Sequence, residues 1–150
     1  MHQYRVDSGD ISLSAATAKT ALQLVAGSTR KSKILEFGVS YASTTSTDGP
    51  VLCEFLIQTS AGTSSSFTPV LMDTGDPVAI QTALNTITVE PSGTTAVGAG
   101  PWRVTPVGGL FVYQFPVDQE LKVAISTRIG FRLTAPSALS SVRAYIVYQE

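Results

Sequence analysis

Apolar and polar residues alternate with a period of two through most of this chain, and that period admits few folds. Leu35, Phe37, Val39 and Tyr41 alternate with Ile34, Glu36, Gly38 and Ser40. Val51, Cys53, Phe55 and Ile57 alternate with Leu52, Glu54, Leu56 and Gln58, and Val142, Ala144, Ile146 and Tyr148 with Arg143, Tyr145, Val147 and Gln149. Successive side chains of a strand point to opposite faces, so each run predicts a strand with one face on a core and a mixed second face. A helical period is nearly absent.

Shorter strands are expected at 11–16, 20–26, 84–90, 102–106, 110–115, 120–125 and 128–134, separated by turn residues such as Gly49-Pro50, Pro91-Ser92-Gly93 and Gly108-Gly109. The Gly108-Gly109 pair, between Val104–Val107 and Leu110–Phe115, predicts a tight hairpin, because both glycines tolerate positive φ. Short strands at this spacing indicate an all-β fold: one antiparallel β-sandwich of about eight to ten strands.

Two segments depart from the rhythm. From Gly62 to Ala83 small residues dominate, and Asp76 followed by Pro77 predicts one short helical turn near 76–83. The segment also suits a crossover of the Greek-key kind. Residues 1–18 form either an N-terminal arm or a first edge strand, ahead of the sandwich at 19–150. No internal repeat or Pro/Gly linker divides the chain, so one domain is expected, and 150 residues bury roughly 70% of their extended surface.

Composition narrows the function classes. The chain is 43% apolar and 14% charged, while serine and threonine fill 35 of 150 positions, so hydroxyls cover much of the polar surface. A formal net charge of −1 removes the attraction that dominates nucleic-acid affinity, and no direct nucleic-acid partner is expected. The basic cluster of Arg30, Lys31 and Lys33 is either a solvated turn or a contact with an acidic neighbour. No apolar run approaches the length of a membrane span, and the first residues lack the apolar stretch of a signal peptide, so synthesis in a cytoplasm is expected.

Reaction chemistry finds little to work with. Cys53 is the only cysteine and His2 the only histidine, so neither a Ser-His-Asp nor a Cys-His arrangement can be assembled, and zinc has too few ligands. Acid pairs at Asp73/Asp76 and Asp118/Glu120 lie in turn-like segments, where Asp caps backbone N–H groups. The strand carboxylates Glu36, Glu54 and Glu90 would need to face each other across a cleft. The spacing at 73–76 lacks the pattern of a calcium loop, and Val97-Gly98-Ala99-Gly100 is no phosphate loop. No cofactor, metal or catalytic residue is assigned. Trp102 beside Arg103 either stacks on a sugar or protein partner or plugs one end of the sandwich.

Several segments, in order over nearly the whole chain, resemble small head proteins of tailed bacteriophages, especially those infecting actinobacteria. They are Ala18-Lys19-Thr20-Ala21-Leu22-Gln23-Leu24-Val25-Ala26, Lys33-Ile34-Leu35-Glu36-Phe37-Gly38-Val39-Ser40, Gln58-Thr59-Ser60-Ala61-Gly62-Thr63, Thr68-Pro69-Val70 and Ala144-Tyr145-Ile146-Val147-Tyr148-Gln149-Glu150. The resemblance implies a jelly-roll-like decoration (cement) protein on the exterior of the virion. It would be a homotrimer that binds the major capsid protein and bridges capsomers, with no membrane partner. No functional residue carries over by position, since the likeness lies in scaffold strands. The alternative is a glycan- or receptor-binding sandwich of a phage tail or bacterial surface, with Trp102 and the tyrosines lining a shallow site. Neither reading makes the chain an enzyme.

Overall fold

The computed structural model describes residues 1–45 and 47–150. Its strands are, in order, β1 (Gln3–Asp7), β2 (Ile11–Leu13), β3 (Ala18–Val25), β4 (Ser32–Ser43), β5 (Val51–Gln58), β6 (Thr63–Phe67) and β7 (Val70–Leu71). There follow β8 (Thr82–Val89), β9 (Thr95–Ala96), β10 (Trp102–Val104), β11 (Leu110–Gln114), β12 (Leu121–Val123), β13 (Arg128–Thr134) and β14 (Leu139–Gln149). Two antiparallel sheets make a sandwich. Sheet A runs β11-β4-β14-β1-β7, with β12 also on β4 and β2 on β14; sheet B runs β10-β5-β13-β3-β8-β6, with β9 on β5. The four-strand sets β1-β14-β4-β11 and β3-β13-β5-β10 have the winding of a jelly roll, in which the chain passes repeatedly between the sheets and the last strand lies beside the first.

The expected alternation builds the core. Phe37, Val39 and Tyr41 of β4, Val51, Cys53 and Phe55 of β5, and Val142, Ala144, Ile146 and Tyr148 of β14 are all buried between the sheets. Two β-bulges then change phase within a strand. The β4–β14 register slips between Glu36↔Val147 and Ile34↔Tyr148, so Ile34 turns inward and Leu35, expected in the core, turns out. A second slip, between Phe131 and Arg132 against β3, brings Ala21 inside along with Leu22.

Residues 1–18 hold β1 and β2, both hydrogen-bonded to β14, and Tyr4 and Val6 are buried. The helical turn expected near 76–83 is not formed. A turn closes at 73–76 instead, with the Asp73 carboxylate accepting from Gly75 N–H at 2.9 Å and Asp76 N–H donating to the Asp73 carbonyl. Beyond it, the groups a helix would pair internally have other partners. Tyr4 Oη donates to the Pro77 carbonyl at 2.9 Å, and the Glu150 carboxylate accepts from Ile80 N–H at 2.8 Å and Gln81 N–H at 3.2 Å. The long 62–83 segment therefore adds the edge strand β6, touches sheet A through β7, and returns to sheet B as β8.

The one helical turn among the described residues is a 3-10 turn at Pro106–Gly108. It corrects the expected hairpin, because β10 belongs to sheet B and β11 to sheet A. Pro106 cannot donate to a ladder, and the turn carries the chain across the sandwich, closed by Gly109 N–H on the Pro106 carbonyl, with Gly109 at φ 79°.

Candidate functional site

Phe37 sits at the centre of an aromatic cluster that fills the side of the sandwich where β10 and β11 lie. Its ring centroid is 4.7 Å from Trp102, 5.1 Å from Phe131 and 5.3 Å from Phe55, with Tyr113, Phe111 and Phe115 within 6.0 Å. Trp102 is half-buried and turned into this cluster, and Gly100 packs against its indole because a Cβ there would meet Cζ3 at 2.4 Å. Its neighbour Arg103 is exposed on the opposite face of β10, as strand geometry requires of adjacent residues. The two therefore do not share a stacking site.

The outer residues of β11 have a different character. Leu110 is 63% and Val112 45% exposed, and Val107 and Val117 flank the strand in the chain at 50% and 83%. Among the described residues β11 pairs with β4 on one side only and ends the path of sheet A, leaving one row of backbone groups open. Its sequence, Leu-Phe-Val-Tyr-Gln, carries neither charge nor proline to discourage pairing. On the outer face of sheet A, across β4, β14 and β1, a groove of about 410 Å³ is lined by Leu35, Phe115, Val117, Met72 and Val147 together with the polar side chains of Gln3, Glu36, Gln114 and Glu120. The bulge that expels Leu35 from the core is what turns it toward this groove. Exposed apolar side chains on an open edge strand make a surface suited to another protein rather than to water.

The basic residues lie elsewhere. Arg30 and Lys31 are exposed ahead of β4, and Lys33 is half-buried near its start. Arg103 lies at the far end of sheet B: it pairs with Leu52, which neighbours Thr134, whereas the chain reaches Arg30 from the end where Val25 meets Arg128. The structure brings Arg30, Lys31 and Lys33 together and sets Trp102 and Arg103 apart from them.

Each acid raised as a catalytic possibility has a structural occupation or a turn position. Glu36 accepts from Tyr145 Oη at 2.6 Å and from Gln114 Nε2 at 3.0 Å. Arg132 Nε and Nη2 both donate to Glu54 Oε1, at 2.9 and 2.8 Å. Glu90 accepts from the N–H and hydroxyl of Thr20. Asp76 faces His2 Nδ1 at 2.7 Å, and Asp118 sits in a turn at φ 68°. Backbone N–H groups of Glu120 itself and of Asp118, helped by Lys33 and Lys122, hold the Glu120 carboxyl below its usual range. Burial pushes the Cys53 thiol up to about 12, far from a nucleophile's range. Among the described residues no group of three or more His, Cys, Asp or Glu side chains is placed to hold a metal ion.

A buried polar chain runs along the outer face of sheet B. Gln23 Nε2 donates to Gln58 Oε1 at 2.7 Å and to the Ser60 carbonyl at 2.9 Å; Gln58 Nε2 donates to Thr20 Oγ1 at 2.8 Å; Thr20 reaches Glu90. Arg128 Nη1 closes the other end on Gln23 Oε1 at 3.3 Å. Gln58 is therefore buried, whereas Ile57, expected inside, is 38% exposed. Gly130 makes the room, since a Cβ there would lie 2.1 Å from Gln58 Oε1. The only sequence signal was a glutamine interrupting the run Leu22-Gln23-Leu24. Such a chain stiffens a scaffold and leaves no group free for chemistry.

Comparison with protein-family models, with curated proteins and with solved structures finds no match to this chain.

Proposed function

We propose that this protein is a structural adhesion subunit: a decoration protein that binds the outside of a tailed-phage head and stabilises contacts between capsomers. The observation that carries this reading is the set of exposed apolar side chains on and beside the edge strand β11, Leu110, Val112, Val107 and Val117, on a jelly-roll scaffold. The ordered segments that resemble phage head proteins name the partner class, a major capsid protein, and a trimeric assembly.

The physical basis is mass action. A subunit that binds only the assembled shell stabilises it by the free energy of that binding. Three copies held together engage several capsomers at once, so modest single contacts give firm attachment. Apolar surface at the centre of such contacts supplies affinity, and a hydroxyl-rich surround stays wet without drawing other charged partners.

Native mass measurement and cosedimentation with purified heads test the proposal. The wild-type chain is expected at three times its 15.8 kDa subunit mass and bound to heads in fixed stoichiometry. Charging the site with Leu110→Lys and Val117→Lys, both on exposed positions, is expected to remove head binding while leaving the fold intact. A strictly monomeric wild-type protein that is absent from virions refutes it.

A further inference from the structure

The basic cluster seen in the sequence gains a fourth member in three dimensions. Lys122 of β12 stands directly opposite Lys33 of β4, and Lys31, immediately ahead of β4, lines the same slot. Like charges directly opposite one another on a sheet repel and destabilise it. No carboxylate lies within ion-pair distance of Arg30, Lys31, Lys33 or Lys122 among the described residues.

Elsewhere the cations have partners. Arg5 meets Asp7, Arg132 meets Glu54, and Arg143 meets Asp7 and Asp10; Arg128 donates to Gln23 and Lys19 to the Ser12 carbonyl. Among the described residues Arg103, at the far end of sheet B, is the one other cation without such a partner. Lys31, Lys33 and Lys122, with Arg30 next to them in the chain, thus concentrate unpaired positive charge at one corner of a protein whose formal net charge is −1. Two carboxylates stand nearby without pairing with the corner: Glu120, whose charge Lys33 and Lys122 favour from beyond ion-pair distance, and Glu150, whose carboxylate accepts from the N–H groups of Ile80 and Gln81.

The corner also has a shape. A slot of about 150 Å³ is lined by Met1, Lys31, Lys33, Lys122 and Gln149, with Glu150 closing one side. Lysine stems and a methionine give apolar walls, and the ammonium groups remain free to reach its mouth.

We infer that this corner is a docking contact for a carboxylate side chain, an Asp or Glu presented by a neighbouring protein. The methylenes of such a side chain meet the apolar walls, and its carboxylate relieves the repulsion between Lys33 and Lys122. A slot of this volume takes one side chain rather than a nucleotide. The net negative charge of the whole chain supplies no field for a nucleic-acid backbone. Nothing in this assignment depends on the partner being a capsid, so peptide binding and head binding can succeed or fail separately.

The test uses the full chain, isotope-labelled, and an end-blocked pentaglutamate peptide at about 0.01 M salt, where the screening length is about 30 Å. Pentaglutamate is expected to bind saturably, shifting backbone amide signals at 30–33, 121–123 and 149, and to lose affinity severalfold by 0.15 M salt. Lys122→Gln is expected to weaken binding severalfold and to raise Tm at low salt, since it removes the charge opposite Lys33. Pentaglutamine binding as well as pentaglutamate, shifts scattered over the surface, or a Lys122→Gln variant with unchanged affinity and Tm each overturn the assignment. Tighter binding of tripolyphosphate than of pentaglutamate at the same amides overturns the choice of a carboxylate.

Discussion

Truncating Phe37 tests whether the aromatic cluster, rather than any one strand pair, holds the two sheets together. The side chain is fully buried and touches six rings at centroid distances of 4.7 to 6.0 Å. Those rings are anchored on both sheets, Phe55, Phe131 and Trp102 on one and Phe111 and Tyr113 on the other, so they cannot collapse together into the space left behind. Phe→Ala in a core removes about 3–5 kcal/mol, and a site that resists collapse belongs near the top of that range, about 4–5 kcal/mol. A domain has only about 5–15 kcal/mol in total, so Phe37→Leu is the informative companion. It keeps most of the volume but loses the ring–ring contacts, each worth about 0.5–1.5 kcal/mol beyond burial and not additive, and is expected to lose about 1–2 kcal/mol. Urea unfolding gives both values, and the emission of Trp102, the only tryptophan, gives an independent signal. With Phe37→Ala the indole loses its nearest ring and its emission moves to longer wavelength. A loss below about 2 kcal/mol with an unchanged m-value, or an emission maximum that does not move, refutes the cluster as the keystone.

Two further outcomes follow from burial and space. Cys53 is fully buried with its thiol pushed up to about 12, so a disulfide reagent at about pH 8 leaves the native protein unlabelled and takes one thiol per chain in denaturant; rapid native labelling contradicts the placement. Gly130→Ala sets a methyl 2.1 Å from Gln58 Oε1, breaks the links to Gln23 and Thr20, and is expected to lose about 1–3 kcal/mol in urea unfolding. Gly98→Ala, with nothing within 4 Å of its added methyl, stays within about 0.5 kcal/mol, and equal effects at the two sites would show that the buried polar chain is not what Gly130 serves.

How much of this was legible follows from where the information lies. Strands with one face on the core, such as β4, β5 and β14, announce themselves by alternation, and each was placed from its residues. β6, Thr-Ser-Ser-Ser-Phe, pairs only with β8 at the end of sheet B and buries little, so no alternation marks it. The bulges at Leu35 and Ala21 are invisible for another reason: a slip of one residue changes which face is buried without changing any local pattern. The helix signal of Asp76-Pro77 was genuine chemistry at short range and lost to Glu150, 70 residues away, which takes the Ile80 N–H. At the candidate surfaces the same division holds. Arg30, Lys31 and Lys33 stand together in the chain, whereas Lys122 sits alone between Leu121 and Val123 and joins them only through β12–β4 pairing. Trp102 and Arg103 are adjacent in the chain and for that reason face opposite ways.

The apolar edge at β11 and the lysine corner are two parts of one rim. β11 and β12 follow each other along the same edge of β4, with Val112 opposite Gly38 and Lys122 opposite Lys33. Five residues of strand separate those positions, roughly 16 Å, and Leu35 lies between them at the groove. An extended segment of about five residues is therefore enough to lay apolar side chains along the edge of β11 and deliver a carboxylate to the lysines, the arrangement used when a peptide adds to a sheet edge. Joined contacts of this kind depend on each other, because losing the apolar part also lowers the local concentration of the carboxylate at the corner. If one partner spans the rim, charging Leu110 abolishes attachment at every salt concentration, whereas Lys122→Gln leaves attachment standing and removes much of its salt dependence. Attachment that keeps its full salt dependence in Lys122→Gln assigns the two surfaces to different partners.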